Sequence, residues 1–199
     1  MNLQIFTCIV VLLISANLAY SQKINFDYLK IKKNSVKTTH SAKYTFKIKK
    51  PFKFLGEYHH QPTYGKKQFN VSMAVFSSGE NILIIHAETH TDGSDGLDYS
   101  NLSPIKLSKL DFTTREQCAS EDDSDELNAN PQIRFIRNKG FEMNLPFYLK
   151  QFFTTSSDGK AEVVLSYGRK VNSCDNVPDD FKTMLTQEAG KNIRIKKQE

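Results

Sequence analysis

Residues 69–91 read FNVSMAVFSSGENILIIHAETHT, and their pattern decides the fold. Phe69, Val71, Met73 and Val75 alternate with Asn70, Ser72 and Ala74, the period-two signature of a strand with one buried face. Ser77-Ser78-Gly79-Glu80-Asn81 collects turn formers, and Ile82 to Thr91 runs back. Pairing Phe76 with Ile82 sets Val75 against Leu83, Met73 against Ile85, Val71 against Ala87 and Phe69 against Thr89. One face of the hairpin is then apolar on both strands, and a one-residue slip would destroy the match.

Further strands are expected on either side. Tyr44, Phe46 and Ile48 share one face of a strand whose other face carries Thr45, Lys47 and Lys49. Phe52 to Tyr58 starts an extended piece after Pro51, and Gln61 to Gly65 is a turn. Ile105–Phe112 and Gln132–Arg137 read as short strands, and Thr114–Ala129 as a polar, acidic helix stopped by Asn130-Pro131. Phe147–Thr155 and Lys160–Val171 flank Ser156-Ser157-Asp158-Gly159, a second hairpin with Asp-Gly in its turn. Pro178, Asp179 and Asp180 suit a helix start, and Phe181, Met184 and Leu185 form its apolar stripe. The expectation is a mainly β, α+β domain over residues 22–199. It would be an antiparallel sandwich or small barrel-like sheet of about 6–8 strands, with one short acidic helix and a C-terminal amphipathic helix.

Residues 1–21 read as a secretory signal. Ile5–Ala19 is apolar but shorter than the roughly 20 residues of a membrane span. Ala19-Tyr20-Ser21 places small residues where a signal peptidase needs them, so the mature chain would start at Gln22. The domain is then secreted or periplasmic, with no transmembrane segment after cleavage. Only Cys118 and Cys174 remain, and an even pair in an oxidising compartment reads as one disulfide. Fourteen Phe and eight Tyr supply a core for a chain of this size. Between Gln22 and Lys53 lie ten Lys against one Asp, whereas Glu121–Glu126 is acidic. Nucleic acid is a poor fit for an exported chain with no recognisable binding module.

Four constellations bear on function. On a strand, His86, Glu88 and His90 share a face, and two imidazoles with a carboxylate suit a divalent metal. His59 and His60 could add a ligand from the neighbouring segment, although adjacent strand residues point to opposite faces. The register above sets His86 opposite Ser72, Glu88 opposite Asn70 and His90 opposite Gln68, which makes this an ordinary wet sheet face. Asp92-Gly93-Ser94-Asp95-Gly96-Leu97-Asp98 could wrap calcium or simply turn the chain. Asn70 and Asn101 head glycosylation sequons.

No catalytic set is evident: there is no nucleophile elbow, phosphate loop or carboxylate dyad, and no cofactor is expected. The leading reading is an exported, non-enzymatic binding domain for a small ligand, a glycan or a protein. A metal-binding protein or metal-dependent enzyme using His86, Glu88 and His90 is the first alternative. A basic adhesion protein, using Lys30–Lys53 against an anionic glycan or membrane, is the second.

Overall fold

The computed structural model describes residues 26–64, 67–91 and 98–198. The signal segment and most of the Asp92–Asp98 loop lie outside the described residues. Elements are numbered in chain order.

A four-stranded antiparallel sheet contains β1 (Leu29–Lys32), β2 (Ser35–Thr38), β3 (Tyr44–Ile48) and β12 (Ile193–Lys197), in that spatial order. A larger antiparallel sheet has the order β4 (Lys53–His60), β6 (Lys67–Ser78), β7 (Asn81–His90), β11 (Ala161–Lys170), β10 (Phe147–Thr155), β9 (Leu110–Ala119) and β8 (Ser103–Leu107). The two-residue β5 (Thr63–Tyr64) pairs with β6. The protein is thus mainly β and sandwich-like, as expected. The strands outnumber the expectation because both chain ends contribute short ones. Among the described residues neither sheet closes into a barrel.

The small sheet packs on one face of the large one. Val36, Tyr44, Phe46 and Ile195 meet Phe76, Ile85, Phe152 and Leu165 in the main core. Polar ties cross the same layer: the Tyr28 amide donates to Ser72 Oγ at 3.0 Å, and His40 Nε2 contacts the Glu162 carbonyl at 2.9 Å. Helix α3 (Asp179–Asn192) follows Pro178 as expected and buries Leu185 and Ala189 in this core. β12 then leaves it directly and pairs with β3.

The other face of the large sheet is also covered. Here α1 (Ser124–Ala129) and α2 (Pro131–Asn138) cross it, and Ile136, Phe141 and Met143 pack on Met73, Val75 and Ile84. Thr114–Ala129 is therefore strand in its first part: β9 runs on to Ala119 because it ladders with β10 from Thr113↔Phe153 to Ala119↔Phe147. The acidic helix is confined to Glu121–Ala129, where Asp123 returns a carboxylate to the Ser120 amide at 2.7 Å. Gln132–Arg137 is helix, not strand. Asn130 caps it by accepting from the Gln132 amide at 2.9 Å, and Pro131 occupies its first turn.

The β6–β7 hairpin forms, but one residue out of the expected register. Ser78 pairs with Asn81 around Gly79-Glu80, with Gly79 at φ +56°. A two-residue turn accepts glycine there, and it replaces the five-residue loop. Every partner shifts: Val75↔Ile84, Met73↔His86, Val71↔Glu88 and Phe69↔His90. The second hairpin forms over nearly the expected span, with Thr155↔Glu162 next to its turn.

Candidate functional site

The histidine face is interior, not the wet sheet face expected, because the α1–α2 layer covers it, and the shifted register sets Met73 in place of Ser72 beside His86. His86 and Glu88 are 8 % and 4 % exposed, on the face that α2 covers. They border a cavity of about 590 Å³ between the large sheet and the α1–α2 segment. Its walls are apolar where Ile84, Val164, Phe153 and Leu149 of the sheet face Ile133 and Ile136 of α2. At one end the lining becomes polar.

That polar end is built by strand pairing. β7 and β11 are neighbours, and Glu88 stands directly opposite Glu162, itself 3 % exposed. Two buried carboxyls side by side cannot both ionise cheaply. Burial, and then repulsion from Glu162, pushes Glu88 well above the ordinary carboxyl range. Glu162 is pushed up to about 7 by burial, held back by hydrogen bonds from Tyr99 and Glu88 and by the Arg115 charge. At neutral pH Glu88 is therefore the protonated partner and donates, while Glu162 accepts. Tyr99 donates its hydroxyl to Glu162 Oε2. Burial and the neighbouring Glu162 hold the phenol far above its usual range, so it stays a neutral donor.

His86 Nδ1 lies 3.3 Å from Glu88 Oε1, but the two are not an ion pair. Burial, and then the His60 charge, pushes the imidazole down to about 3, so it is neutral beside a neutral acid. The Gln132 side chain is close enough to the ring to oppose part of that shift. Across the cavity floor, Gln151 Oε1 accepts from Arg115 Nη2 at 2.9 Å and from Nε at 3.3 Å, and the guanidinium lies 5.3 Å from the Phe153 ring centre. The Tyr99 ring packs on the same Phe153 at 4.8 Å.

The five residues singled out for a metal are not gathered at one point. His86 and Glu88 are together. His90 is half-buried, its ring 4.6 Å from that of Phe69. His59 faces the opposite layer, where Nδ1 contacts Ser72 Oγ at 3.0 Å. His60 Nε2 accepts from the Gln132 side-chain Nε2 at 2.7 Å, and burial pushes this histidine down to about 4. Among the described residues no three His, Cys, Asp or Glu side chains are grouped to hold an ion.

Cys118 and Cys174 are at disulfide-bonding distance, with Cα atoms 5.5 Å apart, and join the end of β9 to the segment before α3. The Asn70 side-chain Nδ2 donates to the Tyr28 hydroxyl at 3.3 Å, whereas Asn101 lies exposed in a turn. Among the described residues no helix is long and apolar enough to cross a membrane.

Sequence reasoning missed Glu162, Tyr99, Arg115 and Gln151. The only local signal for Glu162 was a carboxylate inside the apolar run Ala161-Glu162-Val163-Val164-Leu165, on a strand that proves buried on both faces. Comparison with protein-family models, with curated proteins and with solved structures returns no match, so geometry and chemistry alone carry the functional argument.

Proposed function

We propose that this chain is an exported, non-enzymatic binding protein that holds a small amphipathic molecule between its large sheet and α2. The carrying observation is the cavity of about 590 Å³, with apolar walls and one buried polar end. A concave, mostly apolar site with a few convergent polar groups is the usual form of a small-ligand pocket. The apolar body of the ligand lies along Ile84, Val164 and Ile133, and its polar end meets Glu88, Glu162 and Tyr99. An acid, a phenol and a near-neutral carboxyl favour an uncharged hydroxyl, carbonyl or amide there over a second carboxylate, which Glu162 would repel. Export rests on the signal-like residues 1–21, and the cysteine pair suits an oxidising compartment.

Titration with the neutral apolar dye N-phenyl-1-naphthylamine tests this reading. The protein should bind it saturably. Ser166 is buried on the cavity floor, so Ser166→Phe should abolish most of the fluorescence gain while cooperative unfolding persists. Equal dye binding by the folded variant would refute the pocket.

One observation favours a second reading. A buried carboxyl pair with one member poised at about 7 can serve general acid–base chemistry. Turnover of a bound ester or glycoside that Glu162→Gln abolishes without loss of dye binding would replace the carrier with an enzyme.

A further inference from the structure

The outer face of the small sheet carries charge of one sign. Alternation turns Lys30, Lys32, Lys37, Lys47, Arg194 and Lys196 outward, all of them exposed, while Val36, Phe46 and Ile195 point into the core. Ser35 and Thr45 are the other outward side chains, and the four strands contain no Asp or Glu.

The pairing arranges these groups in two rows. Lys30 opposes Lys37, which opposes Thr45, which opposes Lys196. In the next row Lys32 opposes Ser35, then Lys47, then Arg194. Strands about 4.8 Å apart, with same-face residues about 6.8 Å apart, make an array about 14 Å wide.

Two of the contacts set like charges directly opposite each other, Lys30 with Lys37 and Lys47 with Arg194. Such pairs are destabilising in a sheet. A solvated face normally intersperses carboxylates to relieve them. None of these six side chains is in an ion pair among the described residues. The N-terminal basic run supplies four of the charges, and the last strand of the chain supplies Arg194 and Lys196 beside Lys47.

We propose that this face binds a linear anionic polysaccharide, sulfated or carboxylated, whose spaced charges lie across the two rows. Charge complementarity is the argument, and the surroundings choose among polyanions. A bilayer partner calls for apolar side chains at the rim, but the one large exposed hydrophobic among the described residues is Phe54, on β4 of the other sheet. Single-stranded nucleic acid calls for aromatic platforms, and the outward side chains here include none. The face lies on the opposite side of the molecule from the cavity, so the two proposals stand or fall separately.

The full chain should be passed over immobilised dextran sulfate, with neutral dextran as blank. The face variant is Lys37→Gln with Lys47→Gln, Arg194→Gln and Lys196→Gln. The control removes equal charge elsewhere: Lys106→Gln with Lys160→Gln, Lys170→Gln and Lys191→Gln. Wild-type affinity should fall about tenfold or more between about 0.05 M and about 0.3 M salt, because screening weakens exposed charge contacts. The face variant should bind about tenfold more weakly, and the control within about twofold of wild type. Equal loss in both variants would reduce the effect to net charge and overturn the proposal. So would salt-insensitive binding, or tighter binding to phosphatidylserine–phosphatidylcholine vesicles or to single-stranded DNA than to dextran sulfate.

Discussion

At the residue scale, Glu162 is the position on which most of the site chemistry turns. It accepts from Tyr99 and Glu88, and its own backbone carbonyl meets His40 from the other sheet. Its elevated pKa, with that of Glu88, makes stability pH-dependent. Above the ordinary carboxyl value of 4.5 the unfolded chain loses carboxyl protons that the folded chain keeps, up to about 7 for Glu162 and further for Glu88. That stabilisation is full at acid pH and is lost as pH rises. The buried histidines act oppositely. His86 and His60 are pushed down to about 3 and about 4, and His40 is lowered by burial, so the unfolded chain binds extra protons below 6.5. Their contribution is full above that value and is lost as pH falls. Above pH 6.5 the carboxyl effect outweighs what is left of the histidine one, and urea unfolding should show stability dropping by about 1–2 kcal/mol between about pH 6.5 and about pH 8. Glu162→Gln removes one of the two repelling carboxyls and should flatten that limb. An unchanged slope in the variant would remove the pair as its source.

At the scale of elements, the β6–β7 hairpin shows how a correct strand assignment can carry a wrong surface. The alternation in 69–76 was legible, and so were both strands. The register was not, because Ile82-Leu83-Ile84-Ile85 is apolar on both faces and fits either alignment. A continuous apolar run of this kind marks a strand covered on both sides. The turn geometry at Gly79 settled the choice. Beyond Thr114, β9 is polar enough to resemble a helix, and only its ladder with β10 makes it a strand. Packing at this scale is sharpest at Gly168 of β11, where an added Cβ would lie 2.5 Å from the Tyr148 carbonyl oxygen and 2.9 Å from a Phe147 ring carbon. Backbone cannot yield there as a side-chain tip can. Gly168→Ala should cost about 2–3 kcal/mol in denaturant unfolding, against near-neutrality for the same change at Gly190, whose Cβ would meet Leu107 at an ordinary 3.5 Å. Similar losses at the two positions would contradict this close approach.

For the whole molecule, the cysteine pair and the two chain ends do the joining. Cys118 and Cys174 are separated by 56 positions, and a cross-link closing a loop of that length restricts the unfolded chain by about 4 kcal/mol on the entropy model. Cys118→Ser with Cys174→Ser should lower stability by roughly that amount in calorimetry, while β10 and β11 keep their pairing. A melting temperature insensitive to reductant would show that the bond does not constrain the chain. The sequence by itself determined the β class, the strands of both hairpins, the start of α3 and the cysteine pairing, because periodicity, caps and parity of cysteines are local or countable properties. Only the tertiary structure decided that both faces of β7 are covered, that Glu88 meets Glu162, and that Arg194 and Lys196 complete a basic face with Lys30, Lys37 and Lys47. Those features arise from strand order and register between segments far apart in sequence, and no local pattern encodes which strand will be the neighbour of which.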